Sequence, residues 1–409
     1  MSRRPTLRSA ILAAFTLLFA GRVLAQPTAP GPGAPVDVDQ AEAALTMVAG
    51  GSHLLAWTQE VSGSGRIRFR HLEREVFNLA RSQDLGQPFV RSSVPGWQAG
   101  DQRSPAFGPG FLLWAEKRPG AADFDLYAQR HGQAGTPIGN PILVLERPGD
   151  QFQPAVAADR SGELMVVWAE AATEGDSGIN IWGLRLSDAL MARGAPFAIA
   201  AGPSNAGQPA IAADPSNGDG FLAVWVDDRA GPGEADLYGV TVHRSGLLKR
   251  PGANAEMALV TGPGHSLAPS LTVDAGGTDE IVGLLAWQFV PPAEARMSIH
   301  IRAQRLRSNG LTYGSPFAVR PSLFFDLQPA VAPRQAGGWL AVWSRSGNFM
   351  SPETGGADPM PSAQAVGAPL QITPRAVPTT PDPTALDLWG VTIDRNGRVG
   401  LPARPVVED

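Results

Sequence analysis

Residues 209–242, PAIAADPSNGDGFLAVWVDDRAGPGEADLYGVTV, carry the pattern on which the rest of the chain is built. Pro209–Ala213 is a short apolar run, 214–220 a cluster of Asp, Pro, Ser, Asn and Gly, and 221–226 a nearly continuous apolar run that includes Trp225. The pattern predicts two strands meeting at a tight turn, the second covered on both faces. A Gly/Pro-rich loop, AGPGEA, leads into 236–242, rich in β-formers, and a weaker run, 257–260, follows the turn at 243–246. One such unit cannot bury its own apolar faces.

Copies of the unit recur along the chain. Trp57, Trp114, Trp168, Trp225, Trp287 and Trp343 mark the second strand of six of them, at spacings of 57, 54, 57, 62 and 56 residues. A period in this range with four strand candidates per unit predicts an all-β fold, a six-bladed β-propeller with four antiparallel strands per blade, spanning 43–409 as one domain. First strands are expected at Leu45–Ala49 and Pro105–Phe107 and from Pro154, Pro209, Pro269 and Pro329 onward. Third strands open at Arg66, Asp125, Asn180, Asp236, His300 and Asp387, and fourth strands fall near Pro88, Ile142, Pro196, Met257, Pro316 and Pro405. Either Arg404–Val407 or Val36–Asp39, added to the last sheet, would close the ring. A Pro-rich insertion at 344–386, with the segments SPETGGADPMPSAQ and PRAVPTTPDPT, interrupts the sixth unit as a lid or as extended decoration.

Ahead of the repeats, Arg3, Arg4 and Arg8 precede an apolar run, Ala10–Ala20, and Val23-Leu24-Ala25 offers small residues at cleavage spacing. Residues 1–25 therefore read as a secretory signal peptide, and 26–42 as a flexible N-terminal segment. The apolar run is shorter than the ~20 residues a bilayer core requires, so no membrane span is expected after cleavage. The expected location is periplasmic or extracellular.

The formal net charge of −5 argues against nucleic acid or anionic lipid as a partner. The absence of cysteine excludes disulfides, thiolate metal sites and a cysteine nucleophile. An exported chain of this kind is held by its core alone, and a monomer is expected.

The recurrent order is Gln or a neighbour, Pro, a small-apolar strand, an Asp-Gly turn, Trp with an acid two residues on, then Asp-Leu-Tyr/Trp-Gly/Ala. GQPAIAAD with VWVDDR and DLYGV, and FQPAVAAD with VWAE and NIWGLR, are examples. This resembles the repeats of bacterial exported β-propeller proteins over roughly 43–409. The resemblance implies the architecture and almost nothing about activity. The serine-Asp-x-Gly box ending in Trp, as in sialidase-type propellers, is missing, and so are the Trp-Asp pairs of WD repeats.

Apparent catalytic motifs dissolve on the repeat. Gly264-His265-Ser266-Leu267-Ala268 imitates a nucleophile elbow but aligns with the linker before a first strand. Gly175-Asp176-Ser177-Gly178 falls in a loop between second and third strands, and 214–220 reads as a structural turn rather than a calcium loop. No catalytic, cofactor-binding or metal-binding residue is assigned, no cofactor is expected, and the six histidines lack metal-ligand spacing. The acids Glu116, Glu170 and Asp227, with Arg118 and Arg229, are expected to pin each hairpin by pairing with Asp125 or Asp236.

Departures from the chain's own consensus are more informative. Units one and five replace the third-strand Asp and aromatic with Arg66 and Arg68 and with His300 and Arg302, and unit six places Arg345 where an acid is expected. These five residues form the candidate binding set, a basic patch in an acidic protein suited to an anionic glycan or an unknown protein partner. The expectation is a non-catalytic binding or interaction module. The alternative is a carbohydrate-active hydrolase or lyase with groups gathered from several blades at the channel mouth.

Overall fold

The computed structural model describes residues 38–61, 64–72, 87–90, 92–94, 98–171, 178–202, 204–216, 219–230, 234–249, 256–273, 280–292, 299–319, 326–346, 386–400 and 404–407. Blade one contains β1 (Val38–Met47), β2 (His53–Val61), β3 (Ser64–Leu72) and β4 (Gln87–Pro88), and blade two β5 (Asp101–Gly108), β6 (Phe111–Lys117), β7 (Asp125–His131) and β8 (Pro137–Leu145). Blade three contains β9 (Gln151–Ala158), β10 (Leu164–Ala171), β11 (Ile179–Leu186) and β12 (Phe197–Ala200). Blade four contains β13 (Ala206–Ala213), β14 (Phe221–Asp227), β15 (Asp236–Val242), β16 (Leu248–Lys249) and β17 (Met257–Val260). Blade five contains β18 (His265–Val273), β19 (Ile281–Val290), β20 (His300–Arg307) and β21 (Thr312–Ala318). Blade six contains β22 (Asp326–Pro333), β23 (Trp339–Ser346), β24 (Leu386–Ile393) and β25 (Arg404–Val407). Each sheet is antiparallel and runs in chain order; in blade four the outer edge is shared by β16 and β17, which pair with opposite ends of β15.

The first strands β1, β5, β9, β13, β18 and β22 adjoin one another in sequence, and β22 returns to β1, so the six sheets form a closed ring around an axis. No strand is exchanged at the seam. β1 is the inner strand of the first blade, paired with β2, and β25 is the outer strand of the last, paired with β24. Of the two closures considered from the sequence, the C-terminal strand Arg404–Val407 completes the last sheet, whereas Val38 and Asp39 pair within blade one.

The apolar runs explain why the ring is needed. All six marker tryptophans are at most 1% exposed, and each apolar cluster draws on two adjacent blades. Leu55 and Trp57 of blade one, for example, pack with Leu340, Val342 and Leu388 of blade six, whereas Ala56 and Ile67 pack with Leu112 and Trp114 of blade two. Successive strand residues point to opposite faces, so a continuous apolar strand fills two inter-blade cores at once.

The Gln-Pro signature has a geometric cause. Every inner strand has a bulge three to five residues into it, and the bulged residue adopts a left-handed backbone: Glu42, Ser104, Gln153, Gln208, Ala268 and Gln328, with φ between 47° and 55°. Such a conformation strains a side-chain-bearing residue, and proline next in line has no N–H for the disrupted ladder to lose. The bulge turns the backbone N–H toward the neighbouring blade, where side chains receive it: Gln208 donates to Gln153 Oε1 (3.0 Å), Ala268 to Gln208 Oε1 (2.8 Å) and Glu42 to Gln328 Oε1 (2.9 Å). Ala268 has no side chain to pass on, and Gln288 of β19 substitutes, accepting from Gln328 N–H at 3.3 Å. These bonds stitch blades together near the axis.

The inner strands consequently begin ahead of the prolines from which they were expected to start, and β1 begins at Val38, within the segment read as a flexible lead-in. The signal-peptide reading (1–25), residues 26–37 of the lead-in and most of the insertion, 347–385, lie outside the described residues, as does the Asp176-Ser177 motif. Gly264 to Ala268 enters the strand β18 with no following helix, and Ser266 is buried, so no nucleophile elbow forms there. Asp214 closes its turn by accepting from Ser216 N–H (2.9 Å) and Oγ–H (2.6 Å), and Lys249 Nζ donates to its other oxygen at 2.9 Å, supplying the positive charge of that turn.

Candidate functional site

Connections from second to third strands and from one blade to the next emerge at the same end of the ring. Just inside this end a shared arrangement recurs. The tryptophan indole N–H donates to the acid two residues on: Trp114 to Glu116 (2.7 Å), Trp168 to Glu170 (2.9 Å) and Trp225 to Asp227 (3.2 Å). An arginine binds each acid and lies over the third-strand ring: Arg118 on Tyr127, Arg147 on Trp182 and Arg229 on Tyr238, at 4.7, 4.5 and 4.3 Å from the centroids. Blade six reaches the same result by moving the acid: Asp326, at the start of β22, accepts from Trp343 Nε1 (2.8 Å) and from Arg345 Nε (2.6 Å), and Arg345 stacks on Trp389 at 4.3 Å.

The expected pairing with Asp125 or Asp236 gives way to this arrangement. Arg118 pairs with Glu116, and Arg229 with Asp227 and Glu256, while the third-strand acids sit directly opposite Glu116 and Asp227. Burial pushes the Asp125 and Asp236 carboxyls above the usual range, partly offset by backbone N–H donors at Arg147 and Gly262 and reinforced by nearby acids.

The five predicted binding residues lie in blades five, six and one, consecutive around the ring, but in three separate clusters. Arg345 is buried and tied to Asp326. Arg66 Nη1 donates to Ser64 Oγ (2.8 Å), Gly65 O (2.8 Å) and Gly100 O (2.7 Å), and Arg68 Nε to Gln59 Oε1 (2.6 Å). Arg66 thereby reverses the polarity of its position: Asn180 accepts an N–H from the loop after the fourth strand, whereas Arg66 donates to a carbonyl in that loop. Burial and the neighbouring Arg66 hold the Arg68 pKa below the usual guanidinium value. His300 and Arg302 meet in blade five, with Arg302 Nε 3.3 Å from His300 Nε2. The sequence also puts three aromatic residues, Trp97, Phe324 and Phe325, in connections expected at this end as recognition candidates; they lie outside the described residues.

The junction of blades one and two gathers groups that the sequence reading passed over. Glu42 occupies the bulge position held by glutamine in blades three, four and six. It accepts from Thr58 Oγ1 (2.8 Å) and Ser104 N–H (2.7 Å) on Oε2 and from Ser104 Oγ (3.0 Å) on Oε1. Asp101, at the start of β5, accepts from Gly65 N–H (2.7 Å) and pairs with Arg103 (3.0 Å); the two side chains are 27% and 30% exposed. Gly65 permits this closeness. A Cβ there would meet Gln102 O at 2.2 Å, and Asp101 Oδ1 and Thr58 Cγ2 at 3.0 Å each. Thr58 thus touches Glu42 on one side and lies beside Asp101 on the other, with Arg66 bonded to the adjacent Gly100. Two carboxylates and two guanidinium groups, those of Arg66 and Arg103, share the junction. Blade one lacks the proline of the Gln-Pro signature, which hid Glu42; aligning the bulge position itself would have exposed a carboxylate among amides.

Among the described residues no cluster of three or more His, Asp or Glu side chains could hold a metal ion. No helix there is long and apolar enough to cross a membrane.

No family model matches the chain, and no curated protein is significantly similar to it. Solved structures share its architecture. A protein of unknown function from Dyadobacter fermentans is 15% identical with a TM-score of 0.52, over 76% of this chain and 92% of its own. A thermostable family-43 glycoside hydrolase is 12% identical (TM-score 0.43; 72% and 96% covered), and an alpha-L-arabinofuranosidase from Lactobacillus brevis 11% (TM-score 0.45; 79% and 97%). At these identities the likeness shows the fold, a six-bladed propeller here. Several of them are glycoside hydrolases, so the fold is one that enzymes share, and the expectation of a non-catalytic binding module, which rested on the lack of a local motif, does not hold. Catalytic groups in such a ring come from separate strands, where no motif is legible.

Proposed function

We propose that the protein is a carbohydrate-active enzyme, a hydrolase or lyase, working where blades one and two meet at the loop-bearing end of the ring. The observation that carries this reading is a carboxylate, Glu42, at the bulge position where blades three, four and six hold glutamine, at the same blade one–two junction as a second, solvent-accessible carboxylate, Asp101. Glycoside hydrolysis needs such a pair: one carboxyl protonates the departing oxygen while the other activates water or receives the sugar covalently. In this reading Asp101, at the rim, faces the departing oxygen, and Glu42, both of whose oxygens accept hydrogen bonds, is the second carboxylate. Arg66 and Arg103 orient the substrate by donating to its hydroxyl or acidic groups.

The leader-like residues 1–25 and the repeat pattern support an exported bacterial repeat protein, acting as a monomer in the periplasm or outside the cell. Incubating the purified protein with arabinan, xylan and polygalacturonate, and following reducing ends and the ultraviolet absorbance of unsaturated products, tests the reading and separates hydrolase from lyase. Turnover is expected on at least one polymer, falling on the order of 100-fold or more in Glu42→Gln and Asp101→Asn. Turnover that both variants retain, or none on any polymer, overturns it.

A further inference from the structure

In blades two, three, four and six the guanidinium stacked on a ring also has a carboxylate beside it. Blade five keeps cation and ring but exchanges their places and drops the acid. Phe289 stands at the acid position and Arg302 at the ring position, opposite Trp287. The Arg302 guanidinium lies 3.5 Å from the Phe289 centroid, and the His300 ring packs edge-on to Phe289 at 5.5 Å. Among the described residues no carboxylate reaches Arg302; its polar contact is Nε with His300 Nε2 at 3.3 Å. Burial holds its pKa below the usual guanidinium value. A half-buried cation without a counter-ion is unfavourable in the free protein, and the aromatic shelf fixes its planar fork in place, the arrangement from which guanidinium groups bind oxyanions in two-pronged fashion.

We propose that Arg302, shelved on Phe289 and flanked by His300, is a seat for the carboxylate or sulfate group of an acidic glycan. The seat lies at the head of β20, at the same end of the ring as the Glu42–Asp101 junction, and it names the substrate class of that site. It rests on the glycan reading for the kind of ligand, not for the existence of the anion seat. A neutral glycan gains nothing from this position.

The test is calorimetric titration with oligogalacturonate, a sulfated oligosaccharide and neutral xylo-oligosaccharide against wild type, Arg302→Gln, Arg302→Lys and Phe289→Asp. Affinity for one of the two anionic ligands should fall about tenfold in Arg302→Gln, less in Arg302→Lys, with neutral binding unchanged. Phe289→Asp gives Arg302 an internal partner and should weaken anionic binding to a similar degree while leaving the fold at least as stable, so lost binding in that variant is not lost structure. Whichever anionic ligand responds identifies the group, carboxylate or sulfate. Equal anionic affinity in wild type and Arg302→Gln, equal loss of neutral binding, or no anionic binding at all overturns the proposal. Arg302-dependent binding without turnover on any polymer keeps the seat and removes the catalytic reading.

Discussion

Blades two, three, four and six solve one problem in one way, and blades one and five solve it differently. Each blade buries a tryptophan whose indole N–H needs an acceptor. The first group supplies an acid for it and an arginine for the acid; in blades one and five the residues at the acid position are Gln59 and Phe289, and among the described residues the Trp57 and Trp287 nitrogens have no hydrogen-bond acceptor. A buried donor without an acceptor costs desolvation energy. Among the described residues, blades one and five also leave Arg66, Arg68 and Arg302 bonded to groups other than carboxylates. Where a repeat gives up its own internal neutralisation, charge becomes available to a ligand.

The comparison breaks most severely at Asp326. Asp326→Ala removes the acceptor of the Trp343 indole and the carboxylate paired with the Arg345 guanidinium, both buried, and should cost about 3–5 kcal/mol in denaturant unfolding. Asp326→Ala combined with Arg345→Met removes the charge as well and should recover most of that loss. If the double variant is as unstable as the single one, the buried charge is not what the acid serves.

The comparison is sharpened by Phe289→Asp, which writes the consensus acid into blade five beside Trp287 and Arg302. A gain of about 1 kcal/mol is expected, read as a raised melting temperature. A loss would mean that the Phe289 ring contributes more to packing than the indole loses by having no acceptor.

The smallest effect concerns protonation. His131, packed edge-on against Phe89 and Phe107, has its pKa pushed below the ordinary 6.5 by burial, partly restored by backbone hydrogen bonds at Gly132 and Phe111. A lowered folded pKa favours the neutral ring, so its contribution is fully present above pH 6.5 and is lost as the pH falls from there through the folded value. His131→Phe should flatten that part of the stability profile; an unchanged slope would place the titration elsewhere.

The architecture was legible because each unit repeats a large buried residue, Trp, on a strand whose two faces meet different neighbours. The inner-strand boundaries were not, because residues such as Asp101 and Gln151 precede a bulge and look like linker. The acids after tryptophan were noticed, but their partner, an indole nitrogen on the same strand, was missed since residues two apart share a face and need no cross-strand pair. Arg66, Arg68, His300 and Arg302 stood out as breaks in the repeat. Glu42 did not, for it lies in the one unit without the following proline.

The seam between β22 and β1 holds without a borrowed strand, relying on shared packing and on bonds such as Glu42 N–H to Gln328. One consequence is that the break between β25 and β1 has no privileged place in the circle. A circular permutant joining 409 to 38 through a short linker and opening between Ala200 and Ala206 would divide no sheet, and the topology allows it to fold to the same ring.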